Sequence, residues 1–147
     1  MSTLPIASCH DVAAYILKAN GTTSAMKLQK LVYYCQAWSL VWDDTPMFSE
    51  EIEAWANGPV VRELYDKHSG RFNLESWPDG DVSKLSSTAK ETIDGVLGFY
   101  ADHNAQALVD LTHREDPWIL ARKGTPQGVR GKEIITLESM MEYYSSI

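Results

Sequence analysis

The run Met26-Lys27-Leu28-Gln29-Lys30-Leu31-Val32-Tyr33-Tyr34-Cys35-Gln36-Ala37-Trp38-Ser39-Leu40-Val41-Trp42 decides the fold class. Within it Leu28, Leu31, Val32, Cys35, Trp38 and Trp42 recur at the i, i+3, i+4, i+7 spacing of a helix face, and Tyr33, Tyr34 and Val41 widen that face. A helix apolar over so much of its circumference needs neighbours on several sides. It is therefore read as a central helix over 24–42, capped by Thr23 or Ser24 and stopped by Asp43-Asp44-Thr45-Pro46. The same stretch is the most apolar of the chain, yet Gln29, Lys30 and Gln36 interrupt it, so no membrane insertion is expected.

Helical signals continue on both sides. Ser8 with Asp11 forms a capping box ahead of Val12, Tyr15, Ile16 and Ala19, which predicts a helix over 9–19 that ends at Asn20-Gly21. From Phe48 to Trp55 the apolar period falls to two, the mark of a short extended segment or β-ribbon near 47–55. Asn57-Gly58-Pro59 reads as a turn with proline at the first position of a helix over 59–68. Residues 71–84, centred on Trp77-Pro78-Asp79-Gly80, carry turn chemistry without a period and read as a surface loop. Thr88 with Glu91 is a second capping box, for a helix over 88–102 whose Gly95 and Gly98 point to close packing. Asn104 caps a helix over 105–113, and Asp116-Pro117 caps a short one over 117–123. The glycine-rich stretch 124–132 is expected to be mobile. Thr136 caps a last helix over 137–145, with Ile135 and Met140 as its hydrophobic staple. The expected architecture is mainly α: one compact multi-helix domain over 1–147, its core about 9–124, with a small extended excursion.

Composition narrows the function classes. The chain has 147 residues, with 13 Lys and Arg against 20 Asp and Glu for a net charge of −7, which argues against strong independent binding to nucleic acid. Cys9 and Cys35 have no metal-ligand spacing, so neither a metal nor another cofactor is expected; no leader is recognised and the cytoplasm is the expected compartment. His113, Glu115 and Asp116 hold the minimum kit for acid–base chemistry, but read more simply as helix caps, and no activated nucleophile accompanies them. Asp43, Asp44, Glu50, Glu51 and Glu53 crowd one acidic stretch. Beside Phe48 and Trp55 this stretch has the makeup of an interface for a basic partner, and Arg122, Lys123, Arg130 and Lys132 form a separate basic section.

Met26 to Tyr34, then Trp38, Phe48, Ile52-Glu53-Ala54-Trp55 and Gly58-Pro59-Val60-Val61 together resemble the signature of the Panacea domain family, SocA-like antitoxins also known as phage-associated proteins. Leu111-Thr112-His113 and Asp116-Pro117-Trp118 match the family's second motif, so the resemblance spans about residues 9–124. Ala56-Asn57 stands where the family more often has an aromatic. The motif positions are Lys27, Leu28, Lys30, Leu31, Tyr34, Trp38, Ala54, Trp55, Gly58, Pro59, Val60, Thr112, His113, Pro117 and Trp118. The resemblance implies a mainly α domain, not an enzyme, that neutralises a co-encoded protein toxin by direct binding. Lys27, Lys30, His113 and Gly58-Pro59 would then be either shared architecture or a shared contact surface. Phe48, Glu50, Glu51, Glu53 and Trp55 are the expected partner-binding residues, and the oligomeric state is left open. The rival readings are an adaptor that presents a toxin to a protease, a small enzyme built on His113, and a DNA-binding regulator.

Overall fold

The computed structural model describes residues 7–147; the segment read for a leader, residues 1–6, lies outside the described residues. Helix α1 (Cys9–Asn20) begins at the expected box: Ser8 Oγ accepts from His10 N, and Ser8 N donates to Asp11 Oδ2 at 2.8 Å. Helix α2 (Ala25–Trp42) is capped by Ser24, whose hydroxyl accepts from Lys27 N. Every residue from Leu28 to Ala37 on α2 is buried, as its broad apolar face requires. Around it pack α1, α4 (Ser87–Tyr100), α5 (Ala105–Thr112) and α7 (Leu137–Tyr144), together with a β-ribbon. Leu28, Leu31, Val32 and Cys35 are fully buried, whereas Trp38 is partly covered and Trp42 is 45% exposed.

The polar interruptions of α2 fasten other segments to it. Gln36 Oε1 accepts from Met47 N and Phe48 N while its amide donates to Phe48 O. Two turns earlier, Gln29 treats Val61 the same way, accepting from its N–H at 2.8 Å and donating to its carbonyl at 3.1 Å. Each side-chain amide replaces the strand neighbour that these buried backbone groups lack.

The ribbon corrects one expectation. Strands β2 (Ile52–Trp55) and β3 (Gly58–Val61) pair antiparallel around an Ala56-Asn57 turn, so Gly58-Pro59 opens a strand rather than a helix, and α3 starts only at Arg62 and runs to His68. Proline is tolerated because Ala54, opposite it, sends its N–H the other way, to Glu133 O at 2.8 Å. Pro59 thus occupies a position where the ladder needs no donor.

Three further readings change. The 71–84 segment is not merely surface: β4 (Asn73–Leu74) pairs with β1 (Thr23–Ser24), Leu74 and Trp77 are buried, and Trp77 Nε1 donates to His10 Nδ1. Ser86, not Thr88, caps α4 by accepting from Ala89 N, and Gly98 meets nothing within 4 Å although Gly95 lies under Trp42. Helix α6 (Asp116–Ala121) has Glu115 at its cap position, but that carboxylate turns inward, leaving Asp116 and Pro117 inside the first turn. Asn104 and Thr136 cap α5 and α7 as read, and Ile135 and Met140 are both buried.

Candidate functional site

Two places gather the residues singled out by the sequence. The first is a cleft of about 780 Å³ lined by Asp44, Phe48, Glu50, Glu51, Ile134 and Leu137, among others. Phe48 is fully buried and forms part of its floor instead of a surface anchor. Glu50 accepts from Cys9 N at 2.9 Å, which leaves Glu51 and Asp44 as the exposed carboxylates on the rim. Ile134 and Leu137 add exposed apolar surface. The other two members of the expected patch lie elsewhere: Glu53 accepts from Trp55 Nε1 and faces Arg62 at 3.7 Å, and Trp55 is 7% exposed.

The second place is the meeting point of α2, the ribbon and α5–α6. Lys30 is 1% exposed, and its Nζ donates to Pro59 O at 3.1 Å. Removal from water pushes its pKa down to about 7, because burial penalises the charged form. Gly58 permits this approach: its φ is +110°, and a Cβ there would lie 2.7 Å from Lys30 Cε and 2.9 Å from Thr112 Oγ1. Gly58→Ala is therefore expected to destabilise the fold by about 1–3 kcal/mol through backbone strain and overpacking; urea unfolding of the variant checks this.

The second motif closes over the same ribbon. Trp118 Nε1 donates to Trp55 O at 2.8 Å, and His113 stacks on Trp118 with ring centroids 4.0 Å apart. Burial, reinforced by the nearby Lys30, holds the His113 pKa below its ordinary value. Glu115 does not join His113. It accepts from Tyr34 at 2.6 Å and Tyr144 at 2.8 Å, so Tyr144, already donating to Glu115, must accept from Tyr33. Burial raises the Glu115 pKa, and the two phenol donors offset part of that rise. His113, Glu115 and Asp116 are thus three separate fixtures: His113 stands at the C-cap of α5, where its backbone N–H donates to Val109 O, while its ring stacks on Trp118. Lys27 donates to Ala101 O at the end of α4, a favourable place for a cation.

Arg122, read from the sequence as part of a basic section, is instead a buried anchor. It is 8% exposed; its guanidinium donates to Ala54 O, Val129 O, Arg130 O and Pro126 O, and it lies 5.6 Å from the Trp118 ring centroid. The 124–132 stretch is wrapped on this side chain, which corrects its reading as a free loop. Arg122 stands four residues after Trp118 and next to Lys123, so nothing in the sequence sets it apart from its basic neighbours.

Of the motif positions, Lys30, Ala54, Trp55, Gly58, Pro59, Thr112 and Trp118 thus meet at one junction of helix, ribbon and α5–α6, whereas Tyr34 bonds to Glu115 and Leu28 and Leu31 lie in the core. The description Antitoxin SocA-like, Panacea domain matches residues 28–119. The chain belongs to that family. No match is found among curated proteins or among solved structures. In this Panacea domain Lys30, Gly58, Pro59 and Thr112 are buried and meet at the ribbon, and Trp118, partly covered, bonds to it through Trp55 O. No helix among the described residues is long and apolar enough to cross a membrane.

Proposed function

We propose that this Panacea domain is the antitoxin of a toxin–antitoxin pair, acting as one domain over 1–147 in the cytoplasm and neutralising a co-encoded protein toxin by binding, not catalysis. Family membership supports the role, and the cleft beside the ribbon supports a binding surface for it. An apolar floor from Phe48 and Met140, exposed Ile134 and Leu137, and the Asp44, Glu50 and Glu51 carboxylates suit a basic amphipathic segment of the toxin. The domain's −7 charge favours the same sign of partner. Glu53 and Trp55 stand outside that contact and hold the ribbon instead.

The test begins with the neighbouring reading frame, expressed with and without this domain, followed by co-purification. A neighbour that is toxic alone, tolerated together and recovered as a complex upholds the reading. One that stays lethal and unbound beside a folded domain ends it. The variant Asp44→Asn/Glu51→Lys removes rim charge and spares Glu50, whose bond to Cys9 N holds the start of α1. Its association with the toxin is expected to slow roughly tenfold at low salt, and much less at high salt. An unchanged rate would move the contact off this cleft.

A further inference from the structure

A second cavity, of about 400 Å³, opens beside the motif junction and is lined by Gln29, Lys30, Trp55, Tyr65, His68 and Arg130, with Met26, Val60 and the ribbon turn at its edge. In a chain with 20 acidic residues its lining includes no Asp or Glu. We propose that this cavity binds a small organic oxyanion, a carboxylate or phosphate on a compact body, held jointly by Lys30 and Arg130.

Lys30 supplies the first argument. An ammonium has three donors, and this one meets a single acceptor, Pro59 O; no ion pair joins it among the described residues. Its bond to Pro59 O uses one donor of the three, and the apolar stripe of α2 could take Met or Leu here without desolvating a charge. An acceptor arriving in the cavity would satisfy what the protein leaves open.

His68 does not compete for that role. The Gln29 amide nitrogen, oriented by the two bonds to Val61, donates to His68 Nε2 at 3.0 Å. His68 therefore carries its proton on Nδ1 and is neutral, and its burial, which lowers its pKa, acts in the same direction. The positive charge of the cavity comes from Lys30 and Arg130.

Arg130 is preset. Its guanidinium lies 3.8 Å from the Trp55 ring centroid and 4.9 Å from that of Tyr65, and it forms no ion pair among the described residues. Stacking fixes the plane of the fork, the arrangement in which arginine takes an oxyanion through two parallel bonds. Trp55 and Tyr65, 4.7 Å apart, also wall the space in which a compact organic body would rest.

Calorimetric titration of the full chain with phenyl phosphate and with benzoate tests this, because the two share a ring and differ in the anion; benzyl alcohol is the uncharged control. At least one anion is expected to bind at one site per chain, and which one binds tells phosphate from carboxylate. Lys30→Met and Arg130→Ala are each expected to weaken it roughly 10- to 100-fold, the worth of a charge-assisted contact, while Lys132→Ala does not. Binding near pH 7.5 should also take up protons, since an anion re-protonates Lys30, and this uptake should vanish in Lys30→Met. Arg130 is exposed, so its variant carries the test even if Lys30→Met perturbs the fold. No binding of either anion up to about 10 mM, equal binding by benzyl alcohol, or affinity unchanged in both variants overturns the proposal.

Discussion

Replacing Lys30 by Met is expected to stabilise the domain at neutral pH and to remove the gain in stability with rising pH that the buried amine contributes. In the unfolded chain the amine titrates at its ordinary value of 10.5; in the fold burial brings it down to about 7. Between those values the unfolded chain holds a proton that the folded chain has given up, so stability rises with pH across the window and is lost as pH falls toward 7. At up to 1.36 kcal/mol per unit, the Lys30 contribution should climb by roughly 3 kcal/mol from pH 7 to 9.5, while Cys9, Cys35 and the buried tyrosines, whose pKa values burial raises, pull stability the other way in the upper part of that range in both proteins. Lys30→Met lacks this contribution, so its lead over the wild type should shrink as pH rises. At pH 7 it should be more stable by about 1–4 kcal/mol, the desolvation cost it escapes less the bond that Pro59 O loses. His68 and His113, whose pKa values are also lowered with Lys30 among the causes, steepen the acid side below about pH 6.5 in both proteins. Urea titrations at half-unit intervals measure this, and parallel pH profiles for the two proteins would refute it.

Arg122→Ala should cost about 3–5 kcal/mol, the usual range when a buried charged partner is removed. The carbonyls of Ala54, Val129 and Arg130 lose the guanidinium donor at once, and Pro126 O keeps only Val129 N. Lysine will not substitute, because a point charge cannot span acceptors arranged around a planar fork; Arg122→Lys should recover less than half of the loss. Gly131 shows how closely the loop is drawn in, since a Cβ there would sit 2.6 Å from the Arg122 Nη1. With the arginine gone the 124–132 stretch should become free, so trypsin should cut after Arg130 and Lys132 well before the domain unfolds, while the wild type resists.

How far the sequence could be read follows from what each signal depends on. Helix ends were legible where a side chain caps the nearest N–H groups, as at Ser8, Ser24, Asn104 and Thr136, because that chemistry is local. Gly58-Pro59 misled for the opposite reason. Proline at the start of a helix and proline at a donor-free strand position look alike until the partner strand is known. Trp77 and Leu74 were hidden in a segment without a period, because single residues anchored by distant partners leave no pattern. At the site, Lys30 was visible as a charge inside an apolar stripe, whereas Tyr65, His68 and Arg130 lie 35 to 100 positions away along the chain and only the fold unites them. The acidic stretch was visible as composition, but whether each acid faces solvent or binds a neighbour depended on Cys9 and Arg62, which composition does not place.

One bond pair in the ribbon bears on where this unit ends. Ala54 N to Glu133 O and Ile135 N to Ile52 O lay residues 133–135 along the outer edge of β2, as a third strand in all but length. The shared family segment stops at residue 119, yet the edge it contains is shielded by chain well beyond it. An open edge beside buried Ile52 and Ala54 invites other strands to pair with it. The family match and the stretch of chain that closes its sheet are therefore of different lengths, and grafting this Panacea domain onto another protein means carrying the tail that covers its ribbon.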